Sequence, residues 1–203
     1  VIPFFVLLKV IPYKIASYSC GYILKTIGPL TKYQNRVTEN LKIAFPNKKE
    51  NEINDIAKRY WFNFGQIIGE LPHIDKIIYL KKLETIGLKK IKNGPAILIG
   101  AHLGNWEFLL RVAELGGRRA GFVYRPINNW ILNKIQIQRN MSIKADFFRK
   151  GRLAAIGMAN KLKNGEIIGL TNDQLLREGI MVPFFGKKTP TPQSAALMSI
   201  KWN

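Results

Sequence analysis

Two side chains that could share a proton stand close together in the run Gly100-Ala101-His102-Leu103-Gly104-Asn105-Trp106-Glu107. A carboxylate beside an imidazole fixes the ring's tautomer and stabilises the cation that forms when the ring takes up a proton. A triad would add a serine. Without one, the hydroxyl of a substrate would itself be the nucleophile, and His102 would remove its proton as it attacks an acyl thioester. His102 and Glu107 are therefore read as a candidate catalytic dyad. The spacing alone also fits a plainer reading. A glutamate in the first turn of a helix is favourable against the helix dipole, and a lone histidine after a strand is often structural.

The elements around the pair decide whether the two can meet. Ala96-Ile97-Leu98-Ile99-Gly100 is an apolar run after the turn signal Asn93-Gly94-Pro95, and it predicts a buried strand. Asn105 is a good N-cap, so a helix is predicted from Trp106 to Leu115, stopped at Gly116-Gly117. Five residues along one continuous helix amount to about 140° of rotation, which would separate the two side chains. With His102 in the loop and Glu107 in the helix, a tight turn at Gly104 could bring them together. Chemistry in open α/β sheets sits just beyond the carboxyl ends of the strands, where His102 falls.

The rest of the chain alternates in the same way. Strands are predicted at Leu83–Ile86, Gly121–Tyr124, Phe147-Phe148, Glu166–Leu170 and Met181–Phe185, and helices at Trp130–Met141 and Leu153–Leu162. This pattern predicts an α/β fold with a mostly parallel central sheet flanked by helices. Before it, residues 31–71 read as helical, including a helix from Lys49 to Glu70 with apolar residues at three/four spacing. Residues 1–30 are rich in Ile, Leu, Val, Phe and Tyr but are interrupted by Lys9, Lys14, Lys25, Pro3 and Pro12. They predict a helical membrane-associated segment that anchors in, or lies at, the interface; a buried core helix is the alternative.

Other residues invite a role. Asp173 directly follows a buried strand, the right place for a functional carboxylate, although Asn172-Asp173 is also a turn former. Arg125 precedes Pro126, so its backbone is extended and its side chain can reach from a strand end to fork onto phosphate; a surface salt bridge is the alternative. His73 reads as structural, and Cys20 as a small hydrophobe. Trp61, Phe62 and Phe64 read as core. One cysteine and two histidines make a disulfide framework impossible and a zinc site improbable, so no metal is expected.

The formal net charge is +19, with 22% charged and 47% hydrophobic residues. The hydrophobic content is that of a globular protein. The positive excess seeks anionic partners: phospholipid headgroups, nucleic acid or an acidic protein. Nucleic acid is disfavoured, because the aromatics fall at core-like positions rather than along a basic stripe.

Several ordered blocks resemble the lipid A late acyltransferases, the lauroyl/myristoyl family of Gram-negative bacteria. Arg36–Leu41 with Ala44-Phe45-Pro46 is similar to that family's N-terminal signature, and Gly100–Glu107 to its catalytic His-x4-Glu block. Val123–Pro126 with Asn128-Asn129, then Asn172-Asp173-Gln174, then Val182–Gly186 resemble its later blocks. The resemblance implies a glycerolipid-acyltransferase-like fold and transfer of an acyl chain from acyl carrier protein to a hydroxyl of a lipid A precursor. It implies no cofactor beyond that co-substrate. It places the enzyme at the cytoplasmic face of a bacterial inner membrane, with anionic lipids as partners. His102 would be the general base, Glu107 its partner, and Asp173 a further catalytic residue. Arg125, Arg139 and Asn105 would contact substrate. Around Arg139 the chain reads Arg139-Asn140-Met141-Ser142, whereas the family pattern often carries Arg-x-Arg or Arg-Arg-x-Gly. The domains implied are an anchoring segment over 1–30 and an acyltransferase domain over 31–203, truncated at its C-terminus against the family's usual length. The alternatives are an acyltransferase for another membrane lipid or glycolipid, or an inactive truncated remnant.

Overall fold

The computed structural model describes residues 2–91 and 93–202. The chain divides into two compact units, Val1–Leu83 and Glu84–Asn203.

The first unit is helical. It contains α1 (Ile2–Val10), α2 (Tyr13–Ile27), α3 (Gln34–Ala44), α4 (Glu50–Glu70) and α5 (Ile74–Tyr79). The long α4 starts where Glu52 reaches back to accept from the Lys49 amide at 3.0 Å, which satisfies one of the donors a helix start leaves open. Its Gly65-x-x-x-Gly69 stripe packs on α2. A Cβ at Gly65 would lie 2.2 Å from the Cys20 carbonyl oxygen, and one at Gly69 would lie 2.3 Å from that of Ala16. Only glycine allows the two backbones to come this close. Ser17 Oγ donates to Glu70 at 2.8 Å, and Trp61 Nε1 donates to Gln34 Oε1 at 2.7 Å. His73 is buried with its Nε2 2.8 Å from the Leu8 carbonyl oxygen, a structural placement. The segment 1–30 is broken at Ile11-Pro12 into two helices, and no helix among the described residues is long and apolar enough to cross a membrane. Leu7, Val10, Tyr22 and Ile23 are nonetheless exposed along it.

The second unit is a layered α/β fold. In chain order it contains β1 (Ala96–Gly100), α6 (Val112–Leu115), β2 (Ala120–Tyr124), α7 (Trp130–Met141), β3 (Ala145–Arg149), α8 (Arg152–Lys163), β4 (Ile167–Thr171), β5 (Ile180–Phe184), β6 (Lys187–Thr191) and α9 (Ser194–Trp202). β1 to β4 form one parallel sheet in the order β1-β4-β2-β3. Successive residues face opposite ways, so the sheet buries two clusters. Leu98, Phe122, Ile167 and Phe147 pack with Leu110 and Ala113 on one face. Ile97, Ile168 and Leu170 pack with Met158 and Leu162 of α8 and Met198 of α9 on the other. Ile167 and Ile168 are both fully buried, and each contributes about 1.5–3 kcal/mol by that burial.

Two expectations are corrected, and one strand was not expected. Leu83–Ile86 pairs with no strand; Ile86 is 91% exposed, and Gly87 turns the chain at φ +79°. The predicted helix Trp106–Leu115 is a 3-10 helix over Trp106–Arg111 followed by the single α-turn of α6. β6 was not legible at all. It pairs antiparallel with β5 through Phe185-Gly186, both at positive φ (48° and 72°). Hairpin turns of this kind usually announce themselves with Asn-Gly or Asp-Gly, and Phe-Gly gives no such signal.

Candidate active site

The site is built by strand register. β1 and β4 are parallel neighbours with Gly100 opposite Thr171. The pairing continues one bond further, with the Asn172 amide donating to the Gly100 carbonyl at 3.2 Å. His102 and Asp173 each stand two residues beyond those paired ends, so the two loops carry them side by side. The chain leaves β1 towards one face of the sheet, where Leu109 occupies the space a Gly100 Cβ would fill (2.4 Å away). The chain beyond β4 returns through α9, whose Met198 and Trp202 pack on the other face. The carboxyl ends of β1 and β4 are thus a switch point, where α/β sheets open a crevice.

His102 is clamped there. Its backbone amide donates to Asp173 Oδ2 at 2.7 Å, and its ring Nδ1 lies 2.9 Å from Asp173 Oδ1. Burial raises the pKa of the Asp173 carboxyl, but the His102 amide and ring bonds outweigh it and hold the group below the usual carboxylate range. An ionised carboxylate only accepts, so a neutral His102 keeps its proton on Nδ1 and leaves the Nε2 lone pair free to act as a base. Gln174 Nε2 lies 3.2 Å from that nitrogen and donates to it. The Trp106 ring packs against the imidazole, 5.1 Å between centroids.

Glu107 takes a different partner from the one its spacing suggests. It is buried, and its Oε2 accepts from Arg139 Nη1 at 2.5 Å. Asn105 caps the turn by accepting from the Glu107 amide at 3.3 Å, which fixes where Glu107 points. Arg139 is steadied further by Asn140, whose Oδ1 accepts from its Nη2 at 2.8 Å. Arg111, which the sequence reading passed over, is buried and donates to the Ser142 carbonyl at 3.0 Å. It thereby ties the end of α7 to the 3-10 helix, and this tie sets Arg139 against Glu107.

These groups line a cleft of about 920 Å³. His102, Glu107, Arg125 and Arg139 reach its wall, with apolar side chains such as Leu98, Phe122 and Met198. Asp173 stands behind His102, and Asn105 serves as a cap; neither is on the wall. Gln136 and Gln174 are also on the wall; Gln174 belongs to the Asn172-Asp173-Gln174 block, and Gln136 stands in none of the blocks. The buried Oε1 of Gln136 has no hydrogen-bond partner among the described residues, so it is an acceptor open to a ligand N–H or O–H. A glutamine one helical turn before an arginine carries no sequence signal for this. Among the described residues no cluster of His, Cys, Asp and Glu could hold a metal ion.

The decisive comparison is with the family described as bacterial lipid A biosynthesis acyltransferase, which matches residues 1–203. The chain belongs to that family. A comparison with curated proteins found no match. The family makes this chain an acyltransferase of lipid A biosynthesis and its acceptor a lipid A precursor.

Proposed function

We propose that the cleft moves a fatty acyl chain from acyl carrier protein to a hydroxyl of a lipid A precursor, with His102 as general base. The observation that carries this is the two-point clamp of His102 on Asp173, which leaves Nε2 as an acceptor at the cleft wall. The acceptor hydroxyl displaces the Gln174 amide from Nε2. His102 takes the hydroxyl proton as the oxygen attacks the thioester carbonyl. The C–S bond then breaks, and the same proton passes to the departing sulfur, so an ester and a free thiol result. The thioester brings its own activation, and the step balances without a cofactor. Arg139, held by Glu107, supplies positive charge for the carbonyl oxygen as it becomes an oxyanion. Arg125 contacts the acceptor.

The exposed apolar residues of α1 and α2 and the net charge of +19 support association with the anionic cytoplasmic face of an inner membrane. They also support recognition of an acidic acyl carrier protein.

The test is to incubate membranes carrying the protein with an acyl carrier protein thioester and a tetra-acylated lipid A precursor. Mass spectrometry should show one added acyl chain, and His102→Ala should lower the rate by about 10²–10⁴. No product from the wild-type protein would end the reading; product undiminished in His102→Ala would remove the assigned base. Product formed only with a different lipid hydroxyl would redirect the acceptor.

A further inference from the structure

Beside the main cleft, at the same carboxyl edge of the sheet, lies a separate pocket of about 490 Å³ lined by Arg125, Pro126, Ile127, Asn128, Arg149 and Lys150. Its three cations converge because of register: Tyr124 is opposite Arg149, and the Lys150 amide donates to the Tyr124 carbonyl at 2.8 Å. Arg125, one residue beyond β2, therefore stands beside Arg149, which ends β3, and Lys150, which follows it. Among the described residues none of the three has a carboxylate partner. Four other cations of the unit, Arg111, Arg119, Arg139 and Lys161, each meet an acid. The loop that carries Arg125 is also fixed. The Ile127 amide donates to Asn133 Oδ1 at 3.2 Å, and Asn129 accepts from the Ile131 and Leu132 amides at 3.1 Å. Three cations without a carboxylate partner, one of them on a pinned loop and two of them guanidiniums that can fork, make a receptor for a phosphate monoester dianion.

The geometry points to this pocket as the site that holds a phosphate of the glycolipid acceptor. The inference rests on the acyl-transfer reading above. Arg125 and Lys150 line the main cleft as well, so one ligand can occupy both. Strands lie about 4.8 Å apart. With β4 between β1 and β2, the pocket sits about 10–15 Å along the sheet edge from the end of β1, where His102 stands. A disaccharide covers that span. The sheet thus measures the distance between the phosphate that is held and the hydroxyl that is acylated, and this selects which hydroxyl reacts. A donor phosphopantetheine also carries phosphate, as a singly charged diester. Three cations suit the dianion better.

The experiment measures binding, not turnover. The full chain in detergent micelles is titrated by tryptophan fluorescence with a tetra-acylated, phosphorylated disaccharide lipid and with the same lipid after phosphatase treatment. Wild-type protein should prefer the phosphorylated form by roughly 10-fold or more. In Arg149→Gln/Lys150→Gln the two affinities should fall within about twofold of each other, with a cooperative melt retained. If the double variant does not fold, Arg149→Gln alone is used and should show a reduced preference. Equal wild-type affinities would overturn the site, as would a preference that survives loss of these charges. A parallel arm compares the methyl phosphodiester of acyl-phosphopantetheine with acyl-pantetheine; a phosphate effect confined to this donor, and lost in the variant, would overturn the assignment to the acceptor. Since none of these readings needs acyl transfer, an inactive protein that binds as expected would sink the chemistry and leave the pocket standing.

Discussion

At the scale of the residue, the informative fact is which carboxylate holds the imidazole. Glu107 is five positions from His102 and Asp173 is 71, yet the hydrogen bonds to His102 come from Asp173. The two carboxylates should therefore fail differently. Asp173→Asn leaves a neutral amide that can hold the wrong tautomer, and kcat should fall by about 10²–10⁴. Glu107→Gln removes only the ion pair to Arg139. It should lower kcat by about 10–100-fold. Initial rates of acyl transfer for the two variants check this; a larger loss in the Glu107 variant than in the Asp173 variant would reverse the assignment. The place of the histidine just beyond a strand was legible, because the apolar run Ala96–Gly100 predicts that strand. Its partner was not, since strand pairing between residues far apart leaves no local mark.

At the scale of the element, glycine and one ion network set the geometry. Gly65→Ala gains about 1 kcal/mol of helix propensity, but the new methyl meets a backbone oxygen of α2 that no rotamer change can move. We expect a net loss of about 1–3 kcal/mol, read as a lower urea midpoint; unchanged stability would mean that the helices can separate at little cost. On the sheet, Lys161 of α8 is 2.9 Å from Glu166 and also pairs with Asp146 of β3, which Arg119 meets as well. Burial opposes the charged form of Asp146, yet its bonds to Lys161 and Arg119 leave its pKa lowered. The sign follows from that direction. The unfolded chain binds the proton more readily, so the pair stabilises the fold above the ordinary carboxylate pKa of about 4, and this contribution is lost as pH falls through the lower folded value. The stability gap between wild type and Asp146→Asn, measured by urea unfolding, should be full at pH 7 and should close below pH 4. A gap independent of pH would show that the carboxylate does not act through its charge. Of the elements, β1, β2 and β4 were legible because each is an apolar run bounded by Gly or Asn signals. The 3-10 winding after Asn105 was not, because α and 3-10 turns share the same cap.

At the scale of the whole molecule, the net charge of +19 and the exposed apolar positions of α1 and α2 act together. Each Lys or Arg near an anionic surface contributes about 1 kcal/mol, screened within a Debye length. Binding to vesicles that contain phosphatidylglycerol should be strong at 50 mM salt and should weaken about 10-fold or more by 0.5 M. Sedimentation with the vesicles measures it. Equal binding to neutral vesicles would place the affinity in the apolar residues alone. The segment 1–30 has the composition of an anchor, but its helices are 9 and 15 residues long, so the break at Pro12 rather than the composition sets what it can do.

The sequence by itself determined the class of fold, the family blocks, the histidine and the sign of the surface. These are properties of residue type and short-range order, and short-range order is written along the chain. Only the tertiary structure decided that Asp173 orients His102, that Glu107 serves Arg139, and that Arg125, Arg149 and Lys150 share a pocket. Each of those depends on which strand lies beside which and in what register. That choice is made by burying Ile167 and Ile168 on opposite faces of one sheet, and the energy of that burial belongs to the packed sheet rather than to any single segment.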